Sequence, residues 1–242
     1  MSGAPTKPAR VAAIVPAYNE QETLAAVLAV LKSTPLIQEV LVVSDGSDDA
    51  TVEIARAERV KVIHLRLNCG KGTAMAVGVA HTDAPILVFV DGDILNLSEA
   101  LLGQLIQPVV SGRADMNVGV RHRGAVINGL QRSFGPLLSG IRCLRREIFE
   151  AVPEDHLTGF AIETGINWAA RQLGARLATT VLYGLKHLVK EKKRGLARGA
   201  RARVEMFCSV FAAWLSLHWN QPRLRTAGPA PLARPELDYI NF

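Results

Sequence analysis

The first half of the chain alternates short apolar runs with polar, glycine-bearing loops. Residues 11–15, 39–43, 60–65 and 86–90 are apolar runs of strand length, each followed by a polar turn. Such runs suit strands covered on both faces. Between them, residues 22–31 and 72–80 have helical spacing, and another helix begins near Asp49. Strands alternating with helices predict an α/β fold with a mostly parallel central sheet flanked by helices. Right-handed crossovers then bring the ends of all four strands to one edge.

The second half alternates less clearly. Residues 114–120 and 176–182 read as strands and 160–173 as a helix. Residues 121–136 read as a mobile loop, and 197–219 as a long helix that is mostly apolar from Val204 onward. The segment 204–219 is too short for a membrane span. Its expected places are the core, a homodimer interface or an anionic membrane surface. The proline-rich tail 221–242 reads as an extended wrap or a poorly ordered end. No internal repeat or linker divides the chain.

At 242 residues the chain can bury one sizeable core. Its three cysteines have no metal-like spacing and fit a reducing, cytoplasmic setting better than a disulfide framework. No apolar leader follows the polar first ten residues. The net charge of +6 is uneven: eight Lys or Arg lie between Lys186 and Arg203, against Glu191 as the one acid. That block suits an anionic substrate or lipid headgroup, or an ordinary solvated helix face.

Chemistry concentrates at the strand ends. The fourth strand runs into Asp91-Gly92-Asp93. Carboxylates there suit a hard divalent cation such as Mg²⁺ or Mn²⁺, and a solvated turn is the plainer alternative. Asp45 after the second strand and Glu20 after the first are placed to accept from a base N–H or from ribose hydroxyls. Asn68-Cys69-Gly70-Lys71-Gly72 turns into a helix and offers N–H groups and Lys71 to a phosphate. It is not a Walker A loop, and the first strand lacks a Gly-x-Gly-x-x-Gly fingerprint. Both absences weigh against an ATPase or a dinucleotide dehydrogenase. A carboxylate-lined cleft also repels nucleic acid.

Four ordered motifs, VPAYNE at 15–20, SDGSDD at 44–49, NCGKG at 68–72 and DGD at 91–93, resemble the inverting GT-A glycosyltransferases of family 2. The similarity extends to polyprenyl-phosphate sugar transferases and glucosyl-3-phosphoglycerate synthases. It implies a Rossmann-like nucleotide-diphospho-sugar fold as one domain over 1–242. Residues 1–110 would bind the nucleotide sugar, and 111–220 the acceptor. The implied donor-binding residues are Pro16, Tyr18, Glu20, Asp45, Lys71, Asp91 and Gly92. The implied metal ligands are Asp93 and His187, although a histidine in a basic patch is also an ordinary surface residue.

Beyond the metal motif, Ser139-Gly140-Ile141-Arg142 resembles the acceptor segment. Residues 159–165 resemble the segment around the family's acidic site. Glu163 is then the base candidate, with Asp155 and His156 as alternatives and Arg142 as an anion-site candidate. Arg121, His122 and Arg123 lie where they could close over phosphates. The Gln-x-x-Arg-Trp pattern and membrane spans of processive synthases are missing.

The expected activity is metal-dependent, inverting transfer of a sugar from a UDP- or GDP-sugar. The acceptor expected first is a polyprenyl phosphate or other lipid, with the enzyme cytoplasmic and peripheral to the membrane. The second is a small phosphorylated acid. A sugar-phosphate nucleotidyltransferase is the competing enzyme class, but the first strand lacks the long Gly/Arg/Lys-rich loop expected for it.

Overall fold

A computed structural model describes residues 10–121, 139–157, 161–187, 215–217, 219, 222–225 and 237–240, without the side chains of 121, 187 and 237–240. His122, Arg123 and most of the expected 197–219 helix lie outside that set, as does the Arg121 side chain. Leu215–Leu217 is helical; Leu217 is buried in the core, whereas Trp219 is 85% exposed.

The chain forms β1 (Val11–Ala17), α1 (Leu24–Ser33), β2 (Glu39–Asp45), α2 (Thr51–Ala57), β3 (Lys61–Leu65), α3 (Lys71–Ala80), β4 (Ile86–Phe89), β5 (Ile94–Leu95) and α4 (Glu99–Val110). It continues with β6 (Met116–Arg121), β7 (Arg142–Arg145), α5 (Arg146–Glu150), a 3-10 turn (Glu154–His156), α6 (Ala161–Gln172), β8 (Leu177–Leu182), β9 (Lys186–His187) and β10 (Leu237–Ile240). The main sheet has eight strands in the order β10-β3-β2-β1-β4-β7-β6-β8. Strands β1 to β4 are parallel, as the alternating pattern requires. β7 runs antiparallel to both β4 and β6, and β10 runs antiparallel to β3. Part of the tail, read as an extended wrap or a poorly ordered end, is therefore an edge strand. Its sequence gives no strand signal of its own, and the free edge of β3 supplies the pairing.

Period-two alternation divides the core between the two sheet faces. Ala12 and Ile14 pack with α3, α5 and α6, whereas Val11, Ala13 and Val15 pack with α1, α2 and α4. Pro16 is buried near the end of β1. The ladder with β4 stops at Ile14 and Phe89, so the missing N–H of Pro16 falls beyond it.

Helix α4 begins with a cap at Ser98, whose hydroxyl accepts the Leu101 N–H. Pro108, inside this helix, has no N–H for the Gln104 carbonyl. The fully buried Asn117 amide supplies a substitute, donating to the carbonyls of Gln104 and Leu105. The second half is also fastened by Asp115. Its carboxylate accepts from the Arg176 backbone and guanidinium at 2.8–2.9 Å and lies 3.1 Å from Arg145 Nε. One side chain thus ties the β6, β7 and β8 segments together.

Hydrogen bonds from Arg176, supported by the charges of Arg176 and Arg145, hold the Asp115 carboxyl down at about 2, from 3.8. A depressed carboxylate pKa stabilises the fold above the unfolded-state value, and the effect is lost as pH falls through the folded-state value. Asp115→Asn should therefore lower the urea midpoint at neutral pH. The gap from wild type should stay constant down to about pH 4 and close towards pH 2. A gap that does not depend on pH would show that the ion pairs contribute nothing.

Candidate active site

The ends of β1, β2, β3 and β4 meet on one edge, and their loops fasten one another. Asn19 has φ +56° and donates its backbone N–H to Ser47 Oγ at 3.1 Å. The Asn19 amide also exchanges hydrogen bonds with Asp48, donating to Oδ1 at 2.6 Å and accepting the backbone N–H at 3.1 Å. Glu20 N–H donates to Thr51 Oγ1, and Gln21 N–H donates to Asp49. Several residues of the sequence motifs therefore serve as loop fasteners.

Asp45 is 4% exposed, and its carboxylate accepts Cys69 N–H at 2.7 Å and Gly70 N–H at 2.8 Å. Burial pushes its pKa up, opposed by these two hydrogen bonds. The side chain clamps the 68–72 loop. Gly46 allows the close approach: at φ +70°, a Cβ there would come within 2.6 Å of the Leu67 and Asn68 backbone. Beside this clamp, Leu67 is 72% exposed and Tyr18 is half-buried.

Lys71 opens α3, where the helix dipole opposes a cation. Two carboxylates offset that cost. Its Nζ is 2.7 Å from Asp91 Oδ1 and 2.9 Å from Glu163 Oε1. Burial alone lowers the Lys71 pKa, but the charges and hydrogen bonds of Asp91 and Glu163 outweigh it and raise it above the ordinary value. The ammonium expected to meet a phosphate is thus shared between carboxylates from the two halves of the chain. Glu163 lies in the first turn of α6, where the dipole favours an anion, and its side chain is 6% exposed.

Gly140 closes over this group. A Cβ there would overlap both Asp91 Oδ2 and Lys71 Nζ, so a larger residue would have to displace that ion pair. Beneath lies Arg142, 0% exposed, so the residue expected as an anion-site candidate is turned into the core. Its guanidinium donates to the Ser139 and Glu163 carbonyls and to Asn167 Oδ1. Burial lowers its pKa, with Glu163 and Asp91 acting in the opposite direction. It carries the 139–140 segment and the start of α6 from below.

Asp155 is exposed and His156 buried in the 3-10 turn. The described ion pairs bring Glu163, and neither of these alternatives, to Lys71. Gly92 packs close to the Glu20 side chain, and its carbonyl accepts the Thr23 hydroxyl at 2.7 Å. Asp93 leads directly into β5, which pairs with β9 in a register that sets His187 opposite Ile94. The backbone therefore brings His187 next to Asp93 in space; its imidazole lies outside the described part. Among the described residues, no three His, Cys, Asp or Glu side chains gather as a metal site. A carboxylate and an imidazole nevertheless form a donor set suited to Mn²⁺ or Mg²⁺, with the remaining positions left for oxygen ligands.

A model of glycosyl transferase family 2 matches residues 12–151, more than half of the chain. The chain belongs to that family. The fold is similar to glucosyl-3-phosphoglycerate synthase from Mycobacterium tuberculosis, solved with Mn²⁺, UDP-glucose and phosphoglyceric acid. The TM-score is 0.70 at 22% identity, over 85% of this chain and 80% of that one. At that identity the likeness is one of fold.

Among curated relatives, an undecaprenyl-phosphate 4-deoxy-4-formamido-L-arabinose transferase of Edwardsiella ictaluri is 28% identical over 75% of this chain. A glucosyl-3-phosphoglycerate synthase of Mycolicibacterium smegmatis is 27% identical over 64% of it. The chain spans 61% and 62% of these two relatives' lengths.

Removing one partner of a buried ion pair leaves an uncompensated charge, which typically costs about 3–5 kcal/mol. Lys71→Met should be destabilising on that scale by chemical denaturation. Adding Glu163→Gln should restore part of the loss, and strict additivity would argue against direct coupling. Gly140→Ala should cost about 1–3 kcal/mol through overpacking. Stability equal to wild type would mean that the 139–140 segment moves aside freely.

Proposed function

We propose that the chain transfers a sugar, with inversion, from a nucleoside-diphosphate sugar to a small phosphorylated acid. The observation that carries this reading is the cluster of Asp91, Lys71 and Glu163 at the parallel strand ends, with Asp93 entering the β5–β9 pair. Family membership supports the donor class. The likeness in fold over 85% of the chain to a synthase bound to phosphoglyceric acid favours a small acceptor over the lipid expected first from sequence. A polyprenyl-phosphate acceptor is the second reading, favoured by the undecaprenyl-phosphate relative. No helix among the described residues is long and apolar enough to cross a membrane.

In this reading Asp93 and His187 hold the divalent ion. When bound, it supplies charge neutralisation for the departing diphosphate. Glu20 and Tyr18 line the nucleoside side of the edge, and Asp45 serves it indirectly by fixing the 68–72 loop. Lys71 holds Asp91 and Glu163 in place through its two ion pairs. Glu163 takes the proton of an acceptor hydroxyl as it attacks the anomeric carbon opposite the leaving group. Gly140 lets the 139–140 segment approach that carboxylate pair closely.

UDP- and GDP-sugars should be screened for nucleoside-diphosphate release with Mn²⁺ or Mg²⁺, with 3-phosphoglycerate and a prenyl phosphate as parallel acceptors. Release should depend on metal and rise with 3-phosphoglycerate. Asp93→Ala should lose it about 10²-fold or more, as expected when a metal-held leaving group loses its stabilisation. Stimulation by the prenyl phosphate alone would move the acceptor to the lipid class. Absence of metal-dependent binding to every sugar nucleotide would sink the donor reading.

A further inference from the structure

A hydrogen-bond chain runs behind the nucleotide-side loops from a residue that no family motif contains. His64 is partly buried on β3, with its Nδ1 3.1 Å from Ser44 Oγ. The parallel register sets Ser44 directly beside His64 and Ala17 beside Ser44, so the three share one sheet face. Ser44 Oγ and Ser47 Oγ are hydrogen-bonded at 3.0 Å, and Ser47 Oγ accepts the Asn19 N–H at 3.1 Å. A hydroxyl has one proton. That of Ser44 goes to Ser47 when His64 donates from Nδ1–H and to His64 when Nδ1 accepts, and either tautomer closes the chain.

The chain ends where geometry is most demanding. Asn19 is held at φ +56°, a conformation disfavoured for residues other than glycine, and is followed by Glu20. Ser44 precedes Asp45, the clamp of the 68–72 loop. On the far side of β3, β10 pairs along its length, with Asp238 at the register position opposite His64 and Leu237 opposite Leu65. Leu65 leads directly into the loop that Asp45 clamps. The tail strand therefore pairs with the strand that carries His64 and leads into the 68–72 loop.

We propose that His64 is a positioning residue that, braced by the C-terminal strand β10, holds the loops carrying Glu20 and Asp45 in the geometry that receives a nucleoside diphosphate. Only the nucleotide-binding readout of the test rests on the donor chemistry proposed above; the backbone readout is independent of it.

The test uses the full chain in four forms: wild type, His64→Leu, His64→Asn and Tyr239→Pro. Leucine removes the hydrogen-bonding nitrogen. Asparagine keeps an amide that can donate or accept close to the Nδ1 position. Proline removes a backbone donor from β10 at the position opposite Ile63. Hydrogen exchange is followed in peptides covering 17–21 and 44–50, and UDP affinity is measured by calorimetry with Mn²⁺.

His64→Leu should speed exchange in both loops and weaken UDP about fivefold, the equivalent of one neutral hydrogen bond, while donor turnover at saturation is retained. His64→Asn should exchange and bind like wild type. Tyr239→Pro should loosen the same two loops. Unchanged loop exchange in His64→Leu, or an asparagine variant as impaired as leucine, would overturn the role of His64. Loop exchange unaffected by Tyr239→Pro would remove β10 from it. A wild type that does not bind UDP counts against the donor reading, and the exchange data still decide the role of His64.

Discussion

The ammonium of Lys71, held between Asp91 and Glu163, is the contact on which the rest of the site depends. It joins the parallel half of the sheet to the helix contributed by the second half. A carboxylate as buried as Glu163 needs a cation beside it. A side chain at Gly140 would press on that pair, and Arg142 is buried beside the same group. Two positive and two negative side chains thus balance in a small volume. The balance holds only while α3, β4, β7 and α6 keep their mutual positions.

The same logic divides each motif into residues that hold the loops and residues left for chemistry. Asn19, Ser47, Asp48 and Asp49 spend their polar groups on the neighbouring loop, and Asp45 spends its own on the 68–72 backbone. Parallel strands end in loops whose N–H groups have no ladder partner, and buried ones must be satisfied locally. Short polar side chains are the available acceptors. A motif rich in Asp, Asn and Ser at a strand end therefore reports loop construction as well as ligand binding.

Several elements had local signals too weak to read. β7 is the four-residue Arg-Cys-Leu-Arg between buried neighbours, and its sequence resembles a loop as readily as a strand. Its strand character comes from β4 and β6 on either side. α4 did carry a legible signal in the Ser98 cap, but Pro108 argues locally against a helix there. Side chains from other strands, Asn117 and Thr180, donate to the carbonyl that Pro108 leaves without its usual donor and make that helix end tolerable.

The sequence by itself determined the parallel β1–β4 half, the edge where its loops meet and the residue types gathered there. Those features follow from periodicity and from short crossovers, both local in the chain. Tertiary structure alone decided which carboxylate met Lys71, that Arg142 faced inward, and that β7 and β10 completed the sheet against the parallel direction. Lys71 and Glu163 are 92 residues apart in the chain, and β10 pairs with a strand formed near residue 63. Such pairings depend on which buried charges and open strand edges meet once the chain has folded, and no local pattern encodes that.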